Sequence, residues 1–205
     1  MSDAAVLIFA KAPLPGAVKT RLIPALGEQG ATRLYSRLLR RQFEWMARST
    51  PYAMELWAAP DGSHPLFREL AERHRLSIFA QRGEDLGARM GHAAQEAFER
   101  HRRLLLLGID CPALTPAHLR QAFRWLEQGV DAVLGPAEDG GYVLLGLNRW
   151  HPALFSGHAW GSGSVAASTR QALRKLGWQW RELPQLWDLD RPDDLSRLTP
   201  LGIEL

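Results

Sequence analysis

Residues 104–109 read Leu-Leu-Leu-Leu-Gly-Ile and stop at Asp110. No position in that run is polar, so it does not suit a strand with one wet face; it reads as a strand covered on both sides. A sheet that buries both faces needs helices on each, joined by crossover connections, and this points to a parallel α/β layout. Residues 4–10 (AAVLIFA) repeat the pattern. Neither run approaches the roughly 20 apolar residues of a membrane helix.

Further strand-like runs fall at 53–59, 76–80, 130–134, 141–147 and 178–183, with helical periodicity between them. Ala31, Leu34, Tyr35, Leu38, Leu39, Phe43 and Met46 recur at three and four spacing and define a helix whose arginines form a solvated face. Shorter helices are expected at 65–74, from Leu86 onward, from the Thr115-Pro116 start, at 165–176 and at 192–198. The alternation predicts one α/β domain over residues 1–205 with an open, mostly parallel sheet. Ligands of such sheets bind beyond the carboxyl ends of the strands, so chemistry is expected in the loops after the first, third, fourth and sixth strands.

Composition narrows the function. With 46% hydrophobic and 23% charged residues the chain can build a core. One cysteine, Cys111, rules out an intrachain disulfide or a Cys-rich zinc cluster and fits a reducing, cytoplasmic setting. The seven histidines lack HxxxH or HExxH spacing, which argues against a zinc hydrolase. The net charge is +3, yet the arginines are scattered among 22 acidic residues, so nucleic acid is not an expected partner. Only three of 25 basic residues are lysines, and Lys11 and Lys19 share one loop.

That loop, 11–24, follows the first strand and carries Gly16, Lys19, Thr20 and Arg21. Its GxxKT run is not a P-loop, because Val18 stands where a Walker motif needs glycine. Its charge and turn chemistry, at a strand end, favour anion binding over a merely solvated turn. Asp110, at the end of the fourth strand and before Cys-Pro, suits Mg²⁺, which wants few protein oxygens; a turn-capping role fits it about equally. In 187–195 (WDLDRPDDL), Asp188 and Asp190 share a face of extended chain and offer a second metal contact, Asp190 foremost, whereas Asp193 and Asp194 suit a helix start. Glu138–Tyr142 (EDGGY) is a turn in which Gly140 and Gly141 permit close ligand approach and Asp139 and Tyr142 can read hydroxyls; a plain hairpin explains the glycines nearly as well. Trp160 opens a Gly- and Ser-rich stretch suited to a lid or acceptor loop.

Taken in order, KAPLPGAVKTRL, QRGEDLGARM, LLGIDCPALTPAHL, GPAEDGGYVLLGL and DLDRPDDL resemble a family of small bacterial glycosyltransferase-like proteins with the GT-A, nucleotide-diphospho-sugar transferase fold. That family is similar to the guanylyltransferases of molybdenum cofactor and 2-phospholactate. The resemblance implies a Rossmann-like three-layer sandwich with a mixed, mostly parallel sheet. It implies that Lys11, Gly16, Lys19 and Arg21 hold nucleotide phosphates, that Gly83 and Asp85 lie near the base or phosphates, and that Asp110 with the DLD segment holds Mg²⁺ or Mn²⁺. Arg191 stands where the family often has Thr. The expected activity is glycosyl transfer from a nucleotide sugar to a small acceptor, with Lys19 and Arg21 neutralising the leaving diphosphate and Asp139 as base. The alternatives are nucleotidyl transfer from a nucleoside triphosphate to a phosphorylated acceptor, and nucleotide binding without turnover.

Overall fold

The computed structural model of the protein describes residues 3–203. Its core is a seven-stranded sheet built from β1 (Ala4–Lys11), β2 (Ala53–Ala59), β3 (Ser77–Ala80), β4 (Arg103–Gly108), β5 (Ala132–Pro136), β6 (Tyr142–Leu147) and β7 (Trp180–Glu182), in the order β3-β2-β1-β4-β6-β5-β7. Alternate residues of β1 serve opposite faces. Val6, Ile8 and Ala10 join a core with α1 (Ile23–Ser49), α2 (Pro65–His74) and α4 (Pro116–Glu127), while Ala5, Leu7 and Phe9 join one with α3 (Leu86–Phe98) and α5 (Val165–Lys175). Leu105 and Leu107 of β4 likewise face one side and Leu104 and Leu106 the other. The unbroken apolar runs therefore mark a three-layer α/β sandwich, as their lack of alternation requires. Among the described residues no helix is long and apolar enough to cross a membrane.

The chain builds β1, β2 and β3 outward in one direction, then crosses back to lay β4 on the other side of β1. This reversal opens a crevice at the carboxyl ends of β1 and β4. Only β6 runs against the sheet, paired antiparallel to both β4 and β5. Its reversal corrects the expectation that the loop after the sixth strand lies at the ligand end. The turn before β6, residues 137–141, lies there instead, and the segment after β6 must return across the molecule before Trp160 reaches it.

Two boundaries also move. The loop expected over 11–24 ends early, in a 3-10 turn at Thr20–Leu22, and α1 starts at Ile23 with a break at Gly27, whose φ is 69°. Pro24 is tolerated there because the first helical turn has no partner for its missing N–H. Leu22, Leu34, Leu38, Leu189, Leu198 and Ile203 form a third, smaller cluster that fastens the C-terminal segment to the start of α1. The closing helix, Pro192–Arg197, is 3-10 in form.

Candidate functional site

The crevice is shaped first by backbone. Where β1 ends, the Lys11 N–H donates to the Tyr35 hydroxyl at 2.8 Å, and that hydroxyl donates back to the Lys11 carbonyl at 3.1 Å. Burial pushes the Tyr35 hydroxyl well above its usual range, so it stays protonated and clamps the strand end to α1. Val18 is buried in the core, which explains why a Walker glycine is absent here. After it Lys19 takes a left-handed conformation, φ 48° and ψ 41°, that turns its side chain inward. That side chain is 6% exposed; its ammonium pairs with the Asp110 carboxylate and donates to the Leu189 carbonyl at 2.5 Å.

Leu189 completes the frame from the other side: its side chain is buried in the third cluster and its N–H donates to the Asp110 carbonyl at 2.8 Å. The loop after β1, the end of β4 and the DLD segment thus meet at Asp110. Asp190 pairs with Arg21, and its own N–H and that of Arg191 donate to Asp194, which caps the next turn as its position in the sequence leads one to expect. Asp188, two residues earlier, faces the other side of Asp110 and is half-buried. Burial, then the Asp139, Asp190 and Asp110 carboxylates, push its carboxyl up to about 6.

Asp110 therefore stands where two compartments join. The larger, about 540 Å³, is lined by Lys11, Lys19, Thr20, Arg21 and Arg89, with Asp190 at its edge. The smaller, about 240 Å³, is walled by Phe9, Met90, Tyr142 and Trp160 and carries Asp139 and Asp188. Phe9, Leu86, Gly108 and Asp110 belong to both.

Lys11, Lys19 and Arg21 come together in the larger compartment. Gly16 supplies a left-handed turn ahead of them, at φ 76°, rather than a wall of the compartment. Gly83 and Asp85 lie behind it. Asp85 accepts from the Ala88 N–H at 2.7 Å and caps α3, and a Cβ on Gly83 would sit 2.7 Å from that of Ala88. From the same segment it is Gln81, Leu86 and Arg89 that line the compartment. Sequence reasoning missed these three, and Tyr35; Arg89 carried a signal, lying one residue from Met90 near the start of a helix that begins at the ligand end.

Gly141 lines the smaller compartment and its N–H donates to Asp139 at 2.8 Å. Gly140 has a different reason from the one expected: a Cβ there would lie 2.0 Å from the Gly163 carbonyl oxygen, so its bareness admits the 161–164 segment rather than a ligand. Tyr142 and Trp160 meet edge to face at 6.3 Å, and the Tyr142 hydroxyl, pushed up by burial, donates weakly to Met90 Sδ at 3.9 Å. Trp160 is seated on Gly87, where a Cβ would lie 2.1 Å from its indole nitrogen.

The donor set suits a hard divalent cation. The carboxylates of Asp139, Asp190 and Asp110 raise the cost of ionising Asp188, and among the described residues neither Asp139 nor Asp188 forms an ion pair. No group of three or more His, Cys, Asp or Glu among them is arranged to cage an ion. Mg²⁺ and Mn²⁺ sites with one or two carboxylates, completed by phosphate oxygens, need no such cage.

A sheet of this order with a charged crevice at its reversal defines the chain as a protein of the nucleotide-diphospho-sugar transferase fold. It is 33% identical to a candidate nucleotide-diphospho-sugar transferase from Desulfovibrio desulfuricans G20, whose crystal structure it matches with a TM-score of 0.89 over 98% of this chain and 88% of that one. The chain belongs to the bacterial family DUF2064, described as uncharacterized proteins conserved in bacteria, which matches residues 42–162. More distantly, it shares its fold with a CMP:2-keto-3-deoxy-manno-octonic acid synthetase complexed with CTP (11% identity, TM-score 0.61, 98% of each chain). A glucosyl-3-phosphoglycerate synthase from Mycobacterium tuberculosis, in complex with Mn²⁺ and UDP, shares it too (10% identity, TM-score 0.55, 100% of this chain and 81% of that one). A comparison with curated proteins gives no match. The 33%-identical relative is a transferase by name, which supports the expectation of an enzyme.

Proposed function

We propose that the chain is a divalent-metal-dependent transferase that takes a glycosyl group from a nucleotide sugar and passes it to a small hydroxyl-bearing acceptor. The observation that carries this reading is the position of Asp110. It sits with Lys19 at the junction of a basic compartment suited to phosphates and an aromatic one bearing free carboxylates.

Lys11, Arg21 and Arg89 draw the diphosphate into the basic compartment, and Lys19 meets its sugar-side phosphate beside Asp110. The sugar then spans the junction, with its anomeric carbon towards the smaller compartment. There an acceptor hydroxyl oxygen forms the new bond to the anomeric carbon as the bond to the diphosphate breaks, and the electron pair leaves with the nucleoside diphosphate. Lys19 and Arg21 neutralise that departing charge, and the acceptor's proton passes to Asp139. A divalent cation bound by Asp110 with Asp188 or Asp190 would supply further neutralisation of the diphosphate.

Nucleotidyl transfer would use the same basic compartment but release pyrophosphate. The test is a panel of UDP-, GDP-, ADP- and CMP-sugars and of nucleoside triphosphates, with Mg²⁺ or Mn²⁺, read for nucleotide and for pyrophosphate release. Metal-dependent nucleotide release from a sugar donor, lost in Asp110→Asn, is expected. Pyrophosphate release instead would establish nucleotidyl transfer, and binding with no turnover would establish a nucleotide-binding protein.

A further inference from the structure

The two compartments differ in charge in a way that bears on the acceptor. Every charged side chain lining the smaller one is an aspartate, Asp110, Asp139 or Asp188, and no Lys, Arg or His lines it. Asp110 already has Lys19, which leaves Asp139 and Asp188 facing the space without an ion-pair partner among the described residues. The walls behind them are apolar and aromatic. Phe9, Met90, Leu106, Tyr142, Val143 and Trp160 contribute, and Tyr142 and Trp160 meet at an edge-to-face angle of 79°. Their polar atoms are few: the Tyr142 hydroxyl has only a thioether partner at 3.9 Å, and Ser162 also lines the space. At about 240 Å³ the space lies below the ~300–1,000 Å³ of drug-sized pockets.

We infer that the acceptor is a small alcohol or phenol with an apolar, ring-sized body and no negative charge. The inference rests on the glycosyl-transfer reading and deepens it. An anionic acceptor, whether phosphate or carboxylate, would be brought beside Asp139 and Asp188, which have no ion-pair partner among the described residues. Two like charges about 6 Å apart at an effective dielectric near 20 repel strongly enough to weaken binding more than tenfold. A polyhydroxylated sugar would leave most of its hydroxyls against hydrocarbon without partners. A hydroxyl on an apolar body, by contrast, fills the aromatic walls and presents its O–H to Asp139. A positive charge elsewhere on the acceptor is welcomed by Asp188 and by the ring faces. Selection here works by exclusion as much as attraction. A phosphorylated acceptor, the kind weighed for nucleotidyl transfer, is a molecule this compartment rejects.

Three probes of one shape and different charge test this: tyramine (cationic), tyrosol (neutral) and 4-hydroxyphenylacetate (anionic). Binding to the protein is followed by saturation-transfer NMR and titration of tryptophan fluorescence at pH 8. Tyramine and tyrosol are expected to bind at least tenfold more tightly than 4-hydroxyphenylacetate. Asp139→Asn should narrow that gap severalfold. Equal or tighter binding of the anion, binding of none of the three, or a gap untouched by Asp139→Asn would overturn the inference. Inorganic pyrophosphate with Mg²⁺ serves as the separate probe of the basic compartment. If it fails to bind in a Lys19-dependent way the transferase reading itself fails, whatever the acceptor probes do.

Discussion

Lys19 has its ammonium buried and both its contacts come from other parts of the chain, so it links three loops at once. Replacing it should harm function far more than folding. Lys19→Ala is expected to cut metal-dependent turnover about 100-fold or more, in line with loss of a charge-assisted contact, while lowering the melting temperature only a few degrees because Asp110 is 58% exposed and can be rehydrated. Asp188 makes the opposite kind of residue. Its carboxyl is pushed up to about 6 from an ordinary 3.8, so between those values the folded protein binds more protons than the unfolded one, and stability falls as pH rises through that window. In metal-free buffer, Asp188→Asn should therefore stabilise the protein at pH 8, by about 1 kcal/mol after allowance for solvent screening, and have little effect near pH 4. Denaturant melts at the two pH values check this; equal effects would contradict it. Cys111, at the floor of the smaller compartment, has its thiol pushed up to about 12 by burial, so it should resist iodoacetamide at neutral pH in the folded state and react once the protein is unfolded in urea.

At the scale of elements, the site depends on how α1 and β6 are placed. Tyr35 of α1 grips the end of β1, through both backbone groups of Lys11. Tyr35→Phe leaves those groups without it and should cost about 1–2 kcal/mol. Nucleotide affinity should fall as well, because Lys11 and the loop after it lose their anchor. The 137–141 turn depends on the reversed β6 and on the contact of Gly140 with Gly163. Gly140→Ala, at φ 85° and with its new methyl driven into that carbonyl, should displace the 161–164 segment. The expected result is a raised KM for acceptor with donor affinity nearly intact; equal damage to both would show that the turn serves the whole crevice. Much of this scale was legible in the sequence. The strands at 4–10 and 104–109 were plain because burial on both faces leaves no polar alternation, and the helix from Ala31 was plain from its spacing. The direction of β6 was not, since an apolar run of six reads the same in either direction and only pairing with β4 and β5 sets it.

For the molecule as a whole, the crevice follows from topology: the chain reverses its order of strands at β1 and β4, and charge gathers where it does so. The sequence disclosed the loops that carry this charge because lysines are rare in the chain and two of them share one loop. It hid the division into two compartments, because Arg89 and Met90 reach the crevice only through the packing of α3, and no local spacing encodes that. It also hid the separation of Asp188 from Asp190. Both point to the crevice, as alternation requires, yet Asp110 stands between the spaces they face. This crevice should bind a nucleotide by its phosphates beside Asp110 and Lys19. Isothermal titration of wild type and Lys19→Ala with UDP, GDP, ADP and CDP, each with and without Mg²⁺, tests it most directly. At least one nucleotide should bind the wild type, more tightly with Mg²⁺, and lose about 10–100-fold in affinity in the variant. Binding to neither protein, or binding that ignores both Mg²⁺ and Lys19, would contradict it.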